Sequence, residues 1–63
     1  NRADLERYLR QQGCFLHHHG GKHDSWLNPV NSRKAPVPRH RRIKQGTVRG
    51  VCRILGIPPP VGL

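Results

Sequence analysis

Cys14-Phe15-Leu16-His17-His18-His19-Gly20-Gly21-Lys22-His23-Asp24-Ser25-Trp26-Leu27-Asn28 is the stretch that decides the fold. Two runs suited to strands flank a glycine pair, and Gly-Gly between such runs is a hairpin signal. Cys14 to His19 is predicted as the first strand, with Cys14, Leu16 and His18 on one side and Phe15, His17 and His19 on the other. The second strand starts at Lys22 or His23 and runs to Asn28, where Asp24, Trp26 and Asn28 alternate with His23, Ser25 and Leu27. If Trp26 packs inward, His23 points to the opposite, open face; Leu27 argues the other way.

Beyond this hairpin, Asn28-Pro29-Val30-Asn31-Ser32 is rich in turn formers. Arg33 to Val37 is predicted as a third, short strand, which Pro36 and Pro38 confine to an edge or a strand end. Arg39 to Gln45 is a basic connection. A helix follows from Thr47, with Val48, Val51, Cys52 and Leu55 on one stripe and Arg49 and Arg53 off it. Gly50 costs that helix up to about 1 kcal/mol relative to alanine and permits close packing. Gly56 ends it, and Pro58-Pro59-Pro60 cannot continue it. Upstream, Asn1 or Asp4 caps a first helix whose Leu5, Tyr8 and Leu9 share a face, and Gly13 stops it in the left-handed region. The order is α-β-β-β-α. Hairpin-linked strands between two helices imply an α+β fold: an antiparallel three-stranded sheet, both helices on one face, the other face open.

The chain has 63 residues, enough for one small domain with a thin core. Residues 1–57 are predicted to form it, with 58–63 as a Pro-rich tail. Lys and Arg number 12 against 3 Asp and Glu, giving a formal net charge of +9. Such a domain meets a polyanion, most commonly nucleic acid. The charges are interleaved with structural signals, which argues against a merely solubilising tail. No apolar run is long enough to span a membrane, no signal-peptide pattern opens the chain, and the missing initial Met predicts a processed form or a fragment. Two cysteines are too few for a disulfide scaffold. Cys14 and Cys52 each fall on an apolar face, so they are read as buried free thiols of a reducing cytosol, in preference to a Cys14–Cys52 disulfide.

Three constellations bear on chemistry. The first is His23 beside Lys22, just past the glycine pair, where backbone geometry and not a floppy loop would fix the ring. Cleavage of RNA by the neighbouring 2′-OH needs a base, an acid and positive charge at phosphorus. An imidazole, which ordinarily titrates near pH 6.5, suits either proton role, and Lys22, Arg39, Arg41 and Arg42 could hold the phosphate. The bland reading is a surface histidine beside a turn. The second is His17-His18-His19 with His23. Strand alternation lets at most two of the triplet converge and no cysteine is placed to join, so no metal site is expected. The third is Pro38-Arg39-His40-Arg41-Arg42-Ile43-Lys44, leading into the second helix, whose first N–H groups would add to a phosphate site. His40 is read as a hydrogen-bonded structural residue in preference to a second proton-transfer group.

Gly13-Cys14, Gly20-Gly21-Lys22-His23, Trp26, Asn28-Pro29, Val37-Pro38-Arg39-His40, Ile43-Lys44-Gln45-Gly46-Thr47 and Leu55-Gly56-Ile57 together resemble the HicA family of toxins. The resemblance runs from the first helix to Ile57. It implies a fold like the double-stranded RNA-binding domain, and metal- and cofactor-independent cleavage of mRNA in the cytoplasm. It implies dependence on one histidine, which maps onto His23, and a partner antitoxin, HicB, that covers the site. Many members carry Ser before this histidine and a second His after it; here Lys22 and Asp24 stand there. Lys22 keeps a cation near the phosphate, and Asp24, on the far side of the strand, is assigned no catalytic role. Two rival readings remain: a non-catalytic double-stranded-RNA-binding module and a protein-interaction domain with no RNA role. Gly46-Thr47-Val48, where such modules usually carry a Lys cluster, favours the toxin.

Overall fold

The computed structural model describes residues 1–61. The chain runs α1 (Arg2–Gln11), β1 (Phe15–His19), β2 (His23–Asn28), β3 (Arg33–Pro38) and α2 (Gln45–Leu55). The strands form one antiparallel sheet in the order β1-β2-β3. This is the expected α+β architecture. Of the predicted Pro-rich tail, Gly62 and Leu63 lie outside the described residues.

α1 starts at Asn1, whose side chain accepts the Asp4 N–H at 3.0 Å. Of the two expected caps, Asn1 is the one used; Asp4 instead sits in the first turn, where a carboxylate favours the helix dipole. Leu5 and Leu9 are fully buried. The Tyr8 hydroxyl donates to the Pro58 carbonyl, which pins the start of the proline run to this helix. Gly13, at φ 88°, turns the chain toward β1.

Trp26 resolves the conflict within β2. It is 1% exposed, and Asp24 and Asn28 share its buried side, while His23, Ser25 and Leu27 face away from the helices. On β3, Ala35 pairs with Trp26 and Val37 with Asp24, so the indole lies against a small neighbour. β3 extends one residue past the predicted end, to Pro38, and its prolines occupy a sheet edge as expected.

Regular alternation fails in β1. The register shifts between Leu16 and His18, which leaves His17 as the extra residue of a bulge. Cross-strand partners share a face. Phe15 and His18, opposite Leu27 and Ser25, therefore lie on the open side; Leu16 and His19, opposite Trp26 and Asp24, lie on the other. The predicted grouping of Leu16 with His18, and of Phe15 with His19, is overturned. An inserted residue reverses the parity of everything after it, and no strand propensity reports it.

α2 begins at Gln45, two residues before the predicted Thr47. The apolar stripe starts only at Val48, so periodicity misses the polar first turn. Extended Lys44 is the N-cap, and its carbonyl accepts the Val48 N–H at 3.0 Å. Val48, Val51, Cys52 and Leu55 are buried as expected. Gly50 is not a packing glycine, since a Cβ there would meet nothing within 4 Å. At the other end Gly56 takes φ 73°, and the side-chain amides of Asn28 and Asn31 donate to the Leu55 carbonyl at 2.8 and 2.9 Å. These bonds tie the β2–β3 turn to an otherwise orphaned helix end.

The core comprises Leu5, Leu9, Cys14, Trp26, Ala35, Val37, Val48, Val51, Cys52 and Leu55. Burying each large apolar side chain is worth roughly 1.5–3 kcal/mol. Cys14 and Cys52 are free and buried. Burial pushes both thiols above their ordinary range, and Cys14 raises Cys52 further.

Candidate functional site

His23 opens β2 on the helix-free face and is exposed. The preceding turn fixes its backbone. The Gly20 N–H donates to the His23 carbonyl at 3.1 Å. A Cβ on Gly20 would fall 2.4 Å from that same oxygen, closer than any real contact, so only glycine fits. A Cβ on Gly21 would meet nothing within 4 Å. Of the two predicted turn glycines, Gly20 alone is demanded by packing. Lys22 is exposed beside His23.

Two depressions bear on this histidine, one that it lines and one that its strand partner borders. His23, Ser25, Lys34 and Pro36 line the first, along with Asp24 and Ala35. Pro38, the cross-strand partner of His23, borders the second, with His40, Arg42, Ile43, Lys44 and Thr47. The His23–Pro38 pair therefore links the histidine to the start of α2. That helix end has no acidic residue in its first turn, and Lys44 makes no side-chain capping bond. A cation at a helix N-terminus opposes the helix dipole, and an anion bound there would reverse the sign of the interaction.

The predicted phosphate-binding residues divide into groups. Lys22 stands at the turn, and Arg42 and Lys44 share the depression at α2. Arg41 lies elsewhere, in a hollow with Asn1, Arg2, Ala3, Glu6 and Arg39. Arg39 is turned inward. Its Nε donates to Asp24 Oδ1 at 2.9 Å and its Nη2 donates to the Gly20 carbonyl. The Arg39 carbonyl in turn accepts from Arg2 Nη1 at 2.6 Å.

Two roles differ from expectation. His40 is exposed and, among the described residues, has no hydrogen bond; the structural hydrogen-bonding role expected for it is not seen. Its place between two arginines on a loop that bends away after β3 leaves the ring in solvent. From the sequence, Asp24 is expected only to point away from the chemistry. It does so, with its side chain 10% exposed, but its Oδ1 also accepts from Arg39 Nε and lies 3.0 Å from His19 Nδ1. The signal was present: a carboxylate on the same side as Trp26 must find a cation when buried.

Electrostatically the surface is one-sided. Asp4, Glu6 and Asp24, the only acids of the chain, pair with Arg7, Arg2 and Arg39 respectively. Among the described residues, Lys22, Arg41, Arg42 and Lys44 have no carboxylate within ion-pair reach. Arg10 lies over the Trp26 ring at 5.2 Å, a cation–π contact. Among the described residues no group of three or more His, Cys, Asp or Glu is arranged to hold a metal ion. No helix among them is long and apolar enough to cross a membrane.

The sequence profile described as the HicA toxin of bacterial toxin-antitoxin systems matches residues 2–57. No curated protein and no solved structure matches the chain significantly.

Proposed function

The chain belongs to the HicA family, toxins of toxin–antitoxin systems, and from that premise we propose that it is an endoribonuclease that cleaves mRNA at His23 and so stops translation. The observation that supports this most is the placement of His23. It is an exposed imidazole on a sterically fixed turn, beside Lys22, and its strand partner borders the depression of Arg42 and Lys44.

The chemistry needs these groups and one general acid. His23 takes the proton of a 2′-OH as that oxygen bonds to the adjacent phosphorus. The P–O5′ bond breaks, and the leaving 5′ oxygen receives a proton from a general acid. Lys22 offsets the charge growing on the non-bridging oxygens, while Arg42, Lys44 and the start of α2 hold a neighbouring phosphate. Exposed His40 is the candidate for the second proton-transfer group. mRNA is the substrate, met in the cytoplasm. The partner is an antitoxin of the HicB kind, whose acidic residues would complement this basic surface.

The test is RNA cleavage in EDTA by the chain and by its His23→Ala variant, with folding checked by circular dichroism. Loss of a proton-transfer group costs about 10²–10⁴-fold, so cleavage by the variant should fall at least that far while RNA binding weakens little. Equal cleavage by both would sink the assignment of His23. Binding without cleavage by either would turn the reading to a non-catalytic double-stranded-RNA-binding module.

A further inference from the structure

We propose that Arg39 and Asp24 form a positioning pair that locks the hairpin presenting His23, so that Arg39 acts on the histidine and not on phosphate; this rests on the reading of His23 as the catalytic residue.

Arg39 follows directly after β3, yet its guanidinium grips the β1–β2 hairpin at two points. Nη2 reaches the Gly20 carbonyl, and Nε reaches Asp24 Oδ1 at 2.9 Å. Gly20 is the residue whose N–H holds the His23 carbonyl, and Asp24 is the next residue after His23. The backbone before the histidine and the side chain after it are thus tied to one guanidinium. The same Asp24 oxygen lies 3.0 Å from His19 Nδ1 on β1, across the hairpin. From behind, the N-terminal helix anchors Arg39, through Arg2 Nη1 to the Arg39 carbonyl and through the Arg2 N–H to the Arg41 carbonyl at 3.0 Å. The chain of contacts runs from α1 through Arg39 to the turn.

The geometry requires arginine. Its planar fork places two donors at fixed separation, one for a carbonyl and one for a carboxylate. A lysine would keep the charge and reach one acceptor. Asp24, 10% exposed on its side chain, has its charge matched by Arg39. A small error in placing a reacting group is costly, since about 1 Å of misplacement can lower a rate by around 10²-fold.

The experiment compares Arg39→Lys, Arg39→Gln and Asp24→Asn with the unaltered chain in three measurements: kcat and KM for RNA cleavage, the salt dependence of RNA affinity, and hydrogen exchange at the Gly20 amide by NMR. A positioning pair predicts that all three variants lose kcat by about 10-fold or more, at nearly unchanged KM. Arg39→Lys fails like Arg39→Gln, the salt slope stays put for Arg39→Lys, and Gly20 exchange accelerates in all three. A phosphate contact predicts instead that Arg39→Lys keeps its activity. Arg39→Gln would then raise KM and flatten the salt slope by about 0.7 for one lost contact to single-stranded RNA, with Gly20 exchange unchanged; that result overturns the proposal. If the unaltered chain cleaves no RNA, the reading of His23 fails. Unaltered Gly20 exchange in the variants would show separately that the lock is absent.

Discussion

His23 depends on a residue with no side chain. Gly20 leaves no room for a Cβ opposite the His23 carbonyl, whereas Gly21 has open space. Gly20→Ala should therefore displace the turn or unzip its last hydrogen bond, lowering cleavage by roughly 10-fold or more and lowering Tm. Gly21→Ala should change both little. Thermal unfolding and cleavage rates of the two variants, measured side by side, check this; equal effects would contradict the steric argument. The motif Gly-x-x-His was legible in the sequence, and the steric difference between its two glycines was not. Gly20 and Gly21 are the same residue in one dimension and differ only in what the folded chain brings near them. Arg39 shows the same limit from the other side. It read as one more cation in a basic run, and only the fold sets it against Asp24 and Gly20.

At the scale of elements, periodicity served the helices well. The stripe Val48-Val51-Cys52-Leu55 is the buried face of α2, and Leu5 with Leu9 is that of α1. The errors lie where polarity hides geometry, at the polar first turn of α2 and at the bulge in β1. The asparagines of the β2–β3 turn add a link the sequence did not announce. Both cap the Leu55 carbonyl, and Asn28 is 4% exposed. Asn28→Ala should destabilise the fold by about 1–3 kcal/mol, because it removes two hydrogen bonds, to the Leu55 carbonyl and from the Val30 N–H. Asn31 can still satisfy the carbonyl, so the double variant Asn28→Ala/Asn31→Ala should lose more than the two single losses added. Urea unfolding of the three variants measures this; strict additivity would show that the two amides do not share the helix end.

For the whole molecule, the small core sets the response to alkali. Cys14 and Cys52 are pushed up from an ordinary 9.0 chiefly by burial, and Tyr8 is pushed up from 10.0, first by burial and then by the Cys52 thiol. In the unfolded chain these groups lose protons at lower pH than in the folded one. The unfolded state then binds fewer protons, so stability falls as pH rises. The fold should hold its full stability below about pH 9 and lose it through the alkaline range, seen as a falling Tm between about pH 9 and pH 10.5. A flat Tm there would contradict the burial of the thiols. At neutral pH Ellman's reagent should modify neither cysteine until guanidinium unfolds the chain, because inert buried thiols carry little thiolate.

Sequence by itself determined the element order, the faces of both helices and the excess of positive charge. Each follows from short-range rules: helical and strand periodicity, glycine and proline as terminators, and a count of charges. Tertiary structure decided which cations face outward, which one turns in, and which glycine has no room. It also set the register of the histidine triplet, because a single bulge in β1 reverses the parity that alternation assumes. These outcomes depend on contacts between residues far apart in the chain, Arg39 with Gly20 and Asn28 with Leu55 among them. Such contacts follow from how the sheet and helices close around Trp26, and no local pattern encodes that closure.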